Sequence, residues 1–229
     1  MNMICTVQSN AMQKTIIKPL TGQAITLTGQ MNKTIPDLVW YKFNSNIYDY
    51  KDTNAPISNA YSNGVAIYAP SRIINEYCYK FSGGLTSNYI SLPTLSRTRK
   101  ITFSCWLNVS SFLLMSRIFD YGDTFSLHIV DSKTLVLNNR YSVTYSTGFQ
   151  NVWKHILFTI NGKKLSFYEN GAEITSVTMA ENLSDVTTSG RLGSSFGGGY
   201  DPILYLSDFR IYNRDMSVKE IDTLYKSLL

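Results

Sequence analysis

Any chemistry in this chain must come from sixteen acidic side chains, two histidines and three cysteines, and their spacing decides what they can do. Cleaving a glycosidic bond takes two carboxyl groups about 5–9.5 Å apart across a sugar. On a strand, an E-x-D-x-E spacing supplies them on one face because side chains alternate with period two. No such triplet occurs. Glu169 and Glu173 flank Asn170-Gly171, and Asp120 and Asp123 flank another turn, so both pairs read as exposed hairpin residues. His128 and His155 lack a Ser or Cys neighbourhood that suggests a triad. Cys5, Cys78 and Cys105 show no C-x-x-C spacing. Cys105 alternates with Phe103 and Leu107, the pattern of a small buried hydrophobe, and nothing in the spacing demands a Cys78–Cys105 disulfide. The glycines of Ser194–Pro202 (SSFGGGYDP) do not open a helix after a strand, as a phosphate cradle requires. These residues argue against an enzyme.

The elements that must position any site are strands. Of 229 residues, 16 are Tyr and 11 Phe, the residue types that favour strands, and the length suits a single β-sandwich. Trp153 to Ile174 (WKHILFTINGKKLSFYENGAEI) carries two Asn-Gly pairs, Asn161-Gly162 and Asn170-Gly171, nine residues apart. Each predicts a type I′ turn, and together they predict a three-stranded meander. Ile101 to Val109 alternates cleanly except at Trp106, which marks either a strand covered on both faces or an exposed aromatic. Asn44 to Gly64 reads as a long loop. Ser217 with Glu220 is a capping box opening a short helix through Ile221, Leu224, Tyr225 and Leu228. Residues 1–35 read as a polar arm or one extra edge strand around Ala24–Thr28, with the body at 36–229.

The net charge of +5 is spread thinly apart from Arg97-Thr98-Arg99-Lys100, which reads as a solvated strand lead-in. No nucleic-acid partner is expected. No apolar run approaches the ~18 residues of a membrane span, and the start shows no classical signal peptide. N-x-[ST] sequons begin at Asn32, Asn108 and Asn182, in a chain rich enough in Asn, Ser and Thr to produce them by chance.

Five phrases in order carry a family resemblance: LVWYKF, YKFSGGLTSNYISLP, ITFSCWLNV, WKHILFTINGKKLSFYENG and LYLSDFRIYNRDMSVKEIDTLY. Over residues 36–229 the chain resembles the LamG-like jellyroll family of the concanavalin A-like lectin/glucanase fold. The resemblance implies an all-β, two-sheet antiparallel jelly-roll sandwich with a short C-terminal helix.

It also implies a non-catalytic recognition module for a glycan or glycoprotein, of the kind found on surface or extracellular proteins. Sugar sites of this fold use aromatic rings and polar groups at the rim or concave face, which points to Tyr121, Asp123, Tyr200 and Trp106. Some relatives hold Ca²⁺ near the opening loop and last strand. Asp208 stands at the acidic position of the last strand, with Asp49 (or Asp52) in the opening loop. The metal-free alternative is that Asp208 hydrogen-bonds a neighbouring loop, since that loop lacks a dense D-x-D cluster. His155 and Trp153 match the family's W-x-H as packing residues. Two other functions stay open. One is a structural or attachment protein of a particle surface or virion, assembling as a homo-oligomer; the other is a glycoside hydrolase.

Overall fold

The computed structural model describes residues 38–43, 78–83, 89–95, 99–122, 125–183, 186, 188–197 and 201–229 in full, together with the backbone of further strand segments between residues 3 and 88. The chain divides into two compact units, Met1–Ile35 and Pro36–Leu229. The first holds β1 (Met3–Ser9), β2 (Met12–Lys18) and β3 (Ile25–Thr28). They pair antiparallel in that order, with Thr6 opposite Thr15 and Ile16 opposite Thr26. Residues 1–35 thus hold a three-stranded antiparallel sheet.

The second unit opens with β4 (Val39–Tyr41), followed by the short strands β5 (Tyr48–Asp49), β6 (Ala55–Pro56), β7 (Ala60–Ser62) and β8 (Ile67–Pro70). Next come β9 (Tyr77–Ser82), β10 (Asn88–Leu92), β11 (Lys100–Ser111), β12 (Ser116–Asp120) and β13 (Ser126–Ile129). The rest are β14 (Thr134–Leu137), β15 (Tyr141–Thr144), β16 (Lys154–Asn161), β17 (Lys164–Glu169) and β18 (Ala172–Thr178). Two more strands, β19 (Gly190–Leu192) and β20 (Ile203–Tyr212), precede helix α1 (Val218–Ser227). Three strands lie within the segment read as a single long loop, β5 to β7.

Among the described residues, a seven-stranded sheet runs β15-β14-β13-β12-β19-β10-β7. A larger sheet runs β18-β17-β16-β11-β20-β4-β5-β6, with β9 also on β20 and β8 on β9. The two antiparallel sheets and the short C-terminal helix are the expected sandwich. Its core lies between the sheets: Phe103, Phe158 and Phe209 of the larger sheet meet Phe119, Leu127 and Leu192 of the smaller one. The Phe103 and Phe119 rings approach to 4.9 Å across the gap.

The alternation of β11 explains both of its faces. Phe103, Cys105, Leu107 and Val109 point into the core at 0–1% exposure. Thr102, Ser104 and Trp106 point the other way and are buried as well, because α1 covers that side. The Ser217 side chain accepts from the Glu220 N–H and the Glu220 carboxylate accepts from the Ser217 N–H, the capping box expected of Ser217. The helix lays Ile221 and Leu224 on Leu157, Tyr168 and Tyr212. Trp106 therefore marks a strand covered on both faces. Cys78 and Cys105 are both buried.

The meander forms, with one of its two turns shifted. Asn170 and Gly171 have φ of +51° and +82°, as a type I′ turn demands of both central residues. Asn161 instead pairs with Lys164 as strand, which leaves Gly162-Lys163 at the centre. Only Gly162 of that pair has positive φ, the pattern of a type II′ turn with glycine first.

Candidate ligand-binding face

Strand β19 lies between β12 and β10, and its register decides what stands on the outer face of the seven-stranded sheet. Leu192 is opposite Phe119 and Ile90, and all three are core residues. One residue earlier, Arg191 is opposite Asp120 and Ser91, so by alternation these side chains face outward. Tyr89, two residues before Ser91, shares that side. The Arg191 guanidinium lies over the Tyr89 ring at 4.4 Å and over the Phe196 ring at 4.6 Å. Both are cation–π distances. Its Nη1 donates to the Ser195 carbonyl at 3.0 Å.

The loop that brings Phe196 there is tied down by two buried carboxylates. Asp120 Oδ2 accepts from the Phe196 N–H at 3.1 Å, and Asp120 Oδ1 accepts from the Gly122 N–H at 2.9 Å. Asp201 Oδ1 accepts from the Ser195 N–H at 3.2 Å. Asp120 and Asp201 are only 4% and 8% exposed, so these charge-assisted bonds are shielded from water. Phe196 itself is 43% exposed. A large apolar ring in contact with solvent would ordinarily fold inward. This one is held out by its own backbone and by Arg191.

Beside the ring-and-guanidinium stack lies a second polar group. Arg117 Nε stands 3.6 Å from Asp120 Oδ2. His128, opposite Arg117 in the β12–β13 ladder, shares a 2.7 Å hydrogen bond between Nε2 and Ser126 Oγ. Burial first, and the Arg117 charge second, lower the His128 pKa from 6.5 to about 4, so the imidazole is neutral at neutral pH. The unfolded chain binds more protons than the folded one between those values. His128 therefore withdraws stability as the pH falls from 6.5 towards 4, and has no effect above that window. Its share is roughly 3 kcal/mol. We expect His128→Gln to flatten that part of a denaturation-midpoint-against-pH curve; parallel curves for the two proteins would refute the assignment.

Of the residues singled out from sequence as ligand contacts, Tyr121 and Trp106 lie within the described residues, and both are buried. Tyr121 is 1% exposed, stacked in the core, with its hydroxyl donating to the Pro93 carbonyl at 3.1 Å. Trp106 is 5% exposed beneath α1, its ring 5.4 Å from His155 and 5.9 Å from Tyr225. Neither offers a ring face to a ligand. Asp123 and Tyr200 lie outside the described residues. His155 shares a buried 2.8 Å hydrogen bond with Ser104, and Trp153 packs half-buried near Tyr205. Glu173 is exposed as expected, but Glu169 is not: it forms an ion pair with Lys154, whose side chain is 3% exposed.

Asp208 takes an unusual backbone. It sits at φ +52°, where β20 bulges against β11 between the Ser104 and Trp106 pairings. Its Oδ1 accepts from Trp40 Nε1 at 2.8 Å, and Arg210 Nε stands 2.8 Å from its Oδ2. Calcium needs several oxygen ligands, whereas the described residues here supply one carboxylate with a guanidinium against it. Among the described residues no cluster of three His, Cys, Asp or Glu side chains forms. At Asp208 these groups form an internal ion pair. Asp49 pairs through its backbone with Tyr41, and its side chain is outside the described residues.

Tyr89, Arg191, Phe196 and Asp120 were not picked out from sequence as ligand contacts, although part of the signal was present. In Asn88-Tyr89-Ile90-Ser91-Leu92, the apolar Ile90 and Leu92 take one face and leave Tyr89 on the other. Phe196 is the one large apolar residue in a Gly- and Ser-rich loop. No sequence rule places Arg191 between them, because that needs the β10–β19 pairing.

A family model described as the concanavalin A-like lectin/glucanases superfamily matches residues 82–222, more than half of the chain. Among curated proteins no sequence matches. Solved structures resemble the fold. Domain 4 of an extracellular arabinanase from Geobacillus stearothermophilus, in complex with arabinotriose, matches with TM-score 0.64 and 18% identity over 82% of this chain and 97% of that one. The binding domain of botulinum neurotoxin DC, in complex with SialylT, matches with TM-score 0.64 and 18% identity over 86% of this chain. The binding domain of Paraclostridial Mosquitocidal Protein 1 gives 0.63 and 15% over 86%. The chain spans about half the length of the two toxin domains, 52% and 53% respectively. At these identities the likeness speaks for the fold.

Proposed function

This chain belongs to the concanavalin A-like lectin/glucanases superfamily, and from that premise we propose that it is a non-catalytic recognition module binding a glycan on the outer face of its seven-stranded sheet. One observation carries the reading: Phe196 is held solvent-exposed by hydrogen bonds from its loop backbone to buried carboxylates, with Arg191 sandwiched between it and Tyr89. Sugars present C–H faces that stack on aromatic rings and hydroxyls that need polar partners, and this face offers both within one patch. Because the ring is already fixed, binding costs little ordering of the protein. The ligands of the arabinanase domain and the neurotoxin DC domain, arabinotriose and SialylT, support a carbohydrate.

The same face supports binding over hydrolysis. Both oxygens of Asp120 accept backbone N–H groups, and Arg117 stands beside it, so this carboxyl is engaged in holding the loop. Hydrolysis needs two carboxyl groups facing the sugar.

A glycan array with the intact chain tests the proposal. Phe196→Ala removes a partly exposed ring with little effect on the core, and should weaken the bound glycan by about tenfold or more. An array with no binder would refute the reading, as would a binder indifferent to Phe196.

A further inference from the structure

The geometry points to an acidic sugar as the ligand of this face, its anionic oxygens received by Arg191. This inference rests on the glycan-binding reading and narrows it. Arg117 stands beside Asp120, Arg210 beside Asp208 and Arg214 beside Glu220, each an arginine whose charge is balanced within the molecule. Arg191, like the exposed Arg99 and Arg140, has no such partner: among the described residues it meets two rings and one carbonyl, and no carboxylate lies within ion-pair distance. Asp120, its neighbour in register, is turned to Arg117 and to two backbone N–H groups.

Two aromatic faces stabilise a guanidinium but use none of its N–H donors. With Nη1 given to Ser195, the remaining edge of the fork is left for an anion that presents two oxygens, and guanidinium with carboxylate or sulfate forms two parallel hydrogen bonds. The ring sandwich holds the fork in one plane, so little side-chain freedom is lost on binding.

Carboxylate-bearing and sulfated sugars share this chemistry, and three probes on one disaccharide core separate them: sialyllactose, sulfated lactose and lactose. Titration calorimetry with the intact chain should show one or both acidic probes binding at least about tenfold tighter than lactose, the better of the two identifying the anion. Arg191→Gln should bring the preference for the acidic probes over lactose down to within about twofold, and a urea-denaturation midpoint like the parent's shows that the variant is folded. Arg191→Lys should keep the sign of the preference and lose most of its size, because an ammonium cannot form the two-point contact. Lactose binding as tightly as the acidic probes, or a preference that survives Arg191→Gln, would overturn the inference and leave glycan binding standing. So would a glycan array whose only binders are neutral. An array with no binder of any kind would overturn both.

Discussion

Replacing Glu169 by alanine is expected to destabilise the protein by about 3–5 kcal/mol, the cost of leaving a buried charge without its counter-ion. The charge is Lys154, on the first strand of the meander, with 3% of its side chain exposed. Its ammonium donates to Glu169 Oε1, to the Thr147 carbonyl at 2.6 Å and to Thr147 Oγ1 at 2.8 Å, and lies 5.6 Å from the Tyr145 ring. After the substitution the two Thr147 oxygens and a ring remain, none of them charged. Glu173, across the same turn, is exposed and gives the control: Glu173→Ala should stay within about 0.5 kcal/mol of the parent. The double change Lys154→Met with Glu169→Leu should recover most of the loss, since removing both charges leaves nothing unpaired. Urea denaturation of the four proteins reads this directly. Equal midpoints for Glu169→Ala and Glu173→Ala would refute the buried-pair account.

Gly193→Ala is the other severe change. Gly193 follows β19, has φ +81°, and donates its N–H to the Ile118 carbonyl at 2.7 Å. A β-carbon there would lie 2.0 Å from Cδ1 of Phe81, a fully buried ring of the opposite sheet. Positive φ costs an L-residue about 1–2 kcal/mol and overpacking a core typically about 1–3, so a loss of about 2–5 kcal/mol is expected. The effect reaches the site as well. Ser194 to Phe196 leave the sheet directly from this residue, so shifting it moves the Phe196 ring away from Arg191 and should abolish glycan binding. Gly197, at the far end of the loop, has nothing within 4 Å of where a β-carbon would stand. Gly197→Ala should keep both stability and binding. A Gly193→Ala protein with the parent's denaturation midpoint would contradict the contact with Phe81.

The fold was legible to different depths in different elements. Ile101 to Val109 could be read as a strand because its apolar residues recur with period two. Ser217 and Glu220 announced the helix start because both halves of a capping box lie within four residues. The first Asn-Gly pair was misread by one position: the dipeptide names a turn, but the Asn161–Lys164 pairing, made across two strands, decides which residues stand at its centre. Glu169 was misread for a related reason. It alternates with Leu165 and Phe167 and so shares their inward face, yet its partner Lys154 is fifteen residues away on the adjoining strand. Local pattern gives the face of a residue; pairing gives its company.

The candidate site shows the same division. An aromatic in a Gly-rich loop, a tyrosine alternating against core residues and an arginine before a core leucine are all visible in the chain. Their meeting is not. Tyr89 and Arg191 lie far apart in sequence and come together because β19 inserts between β10 and β12. Phe196 reaches them because Asp120, seventy-six residues earlier, anchors its backbone. By itself the sequence determined what is periodic or local: the alternating strands, the presence of the meander's two turns, the helix cap and the sandwich class. Tertiary structure alone decided which polar groups are buried, which rings sandwich Arg191, and which ring stays in solvent. The physical reason is that alternation and capping are satisfied within a few residues by backbone geometry, whereas desolvation and charge pairing depend on neighbours that only the closed sheets supply.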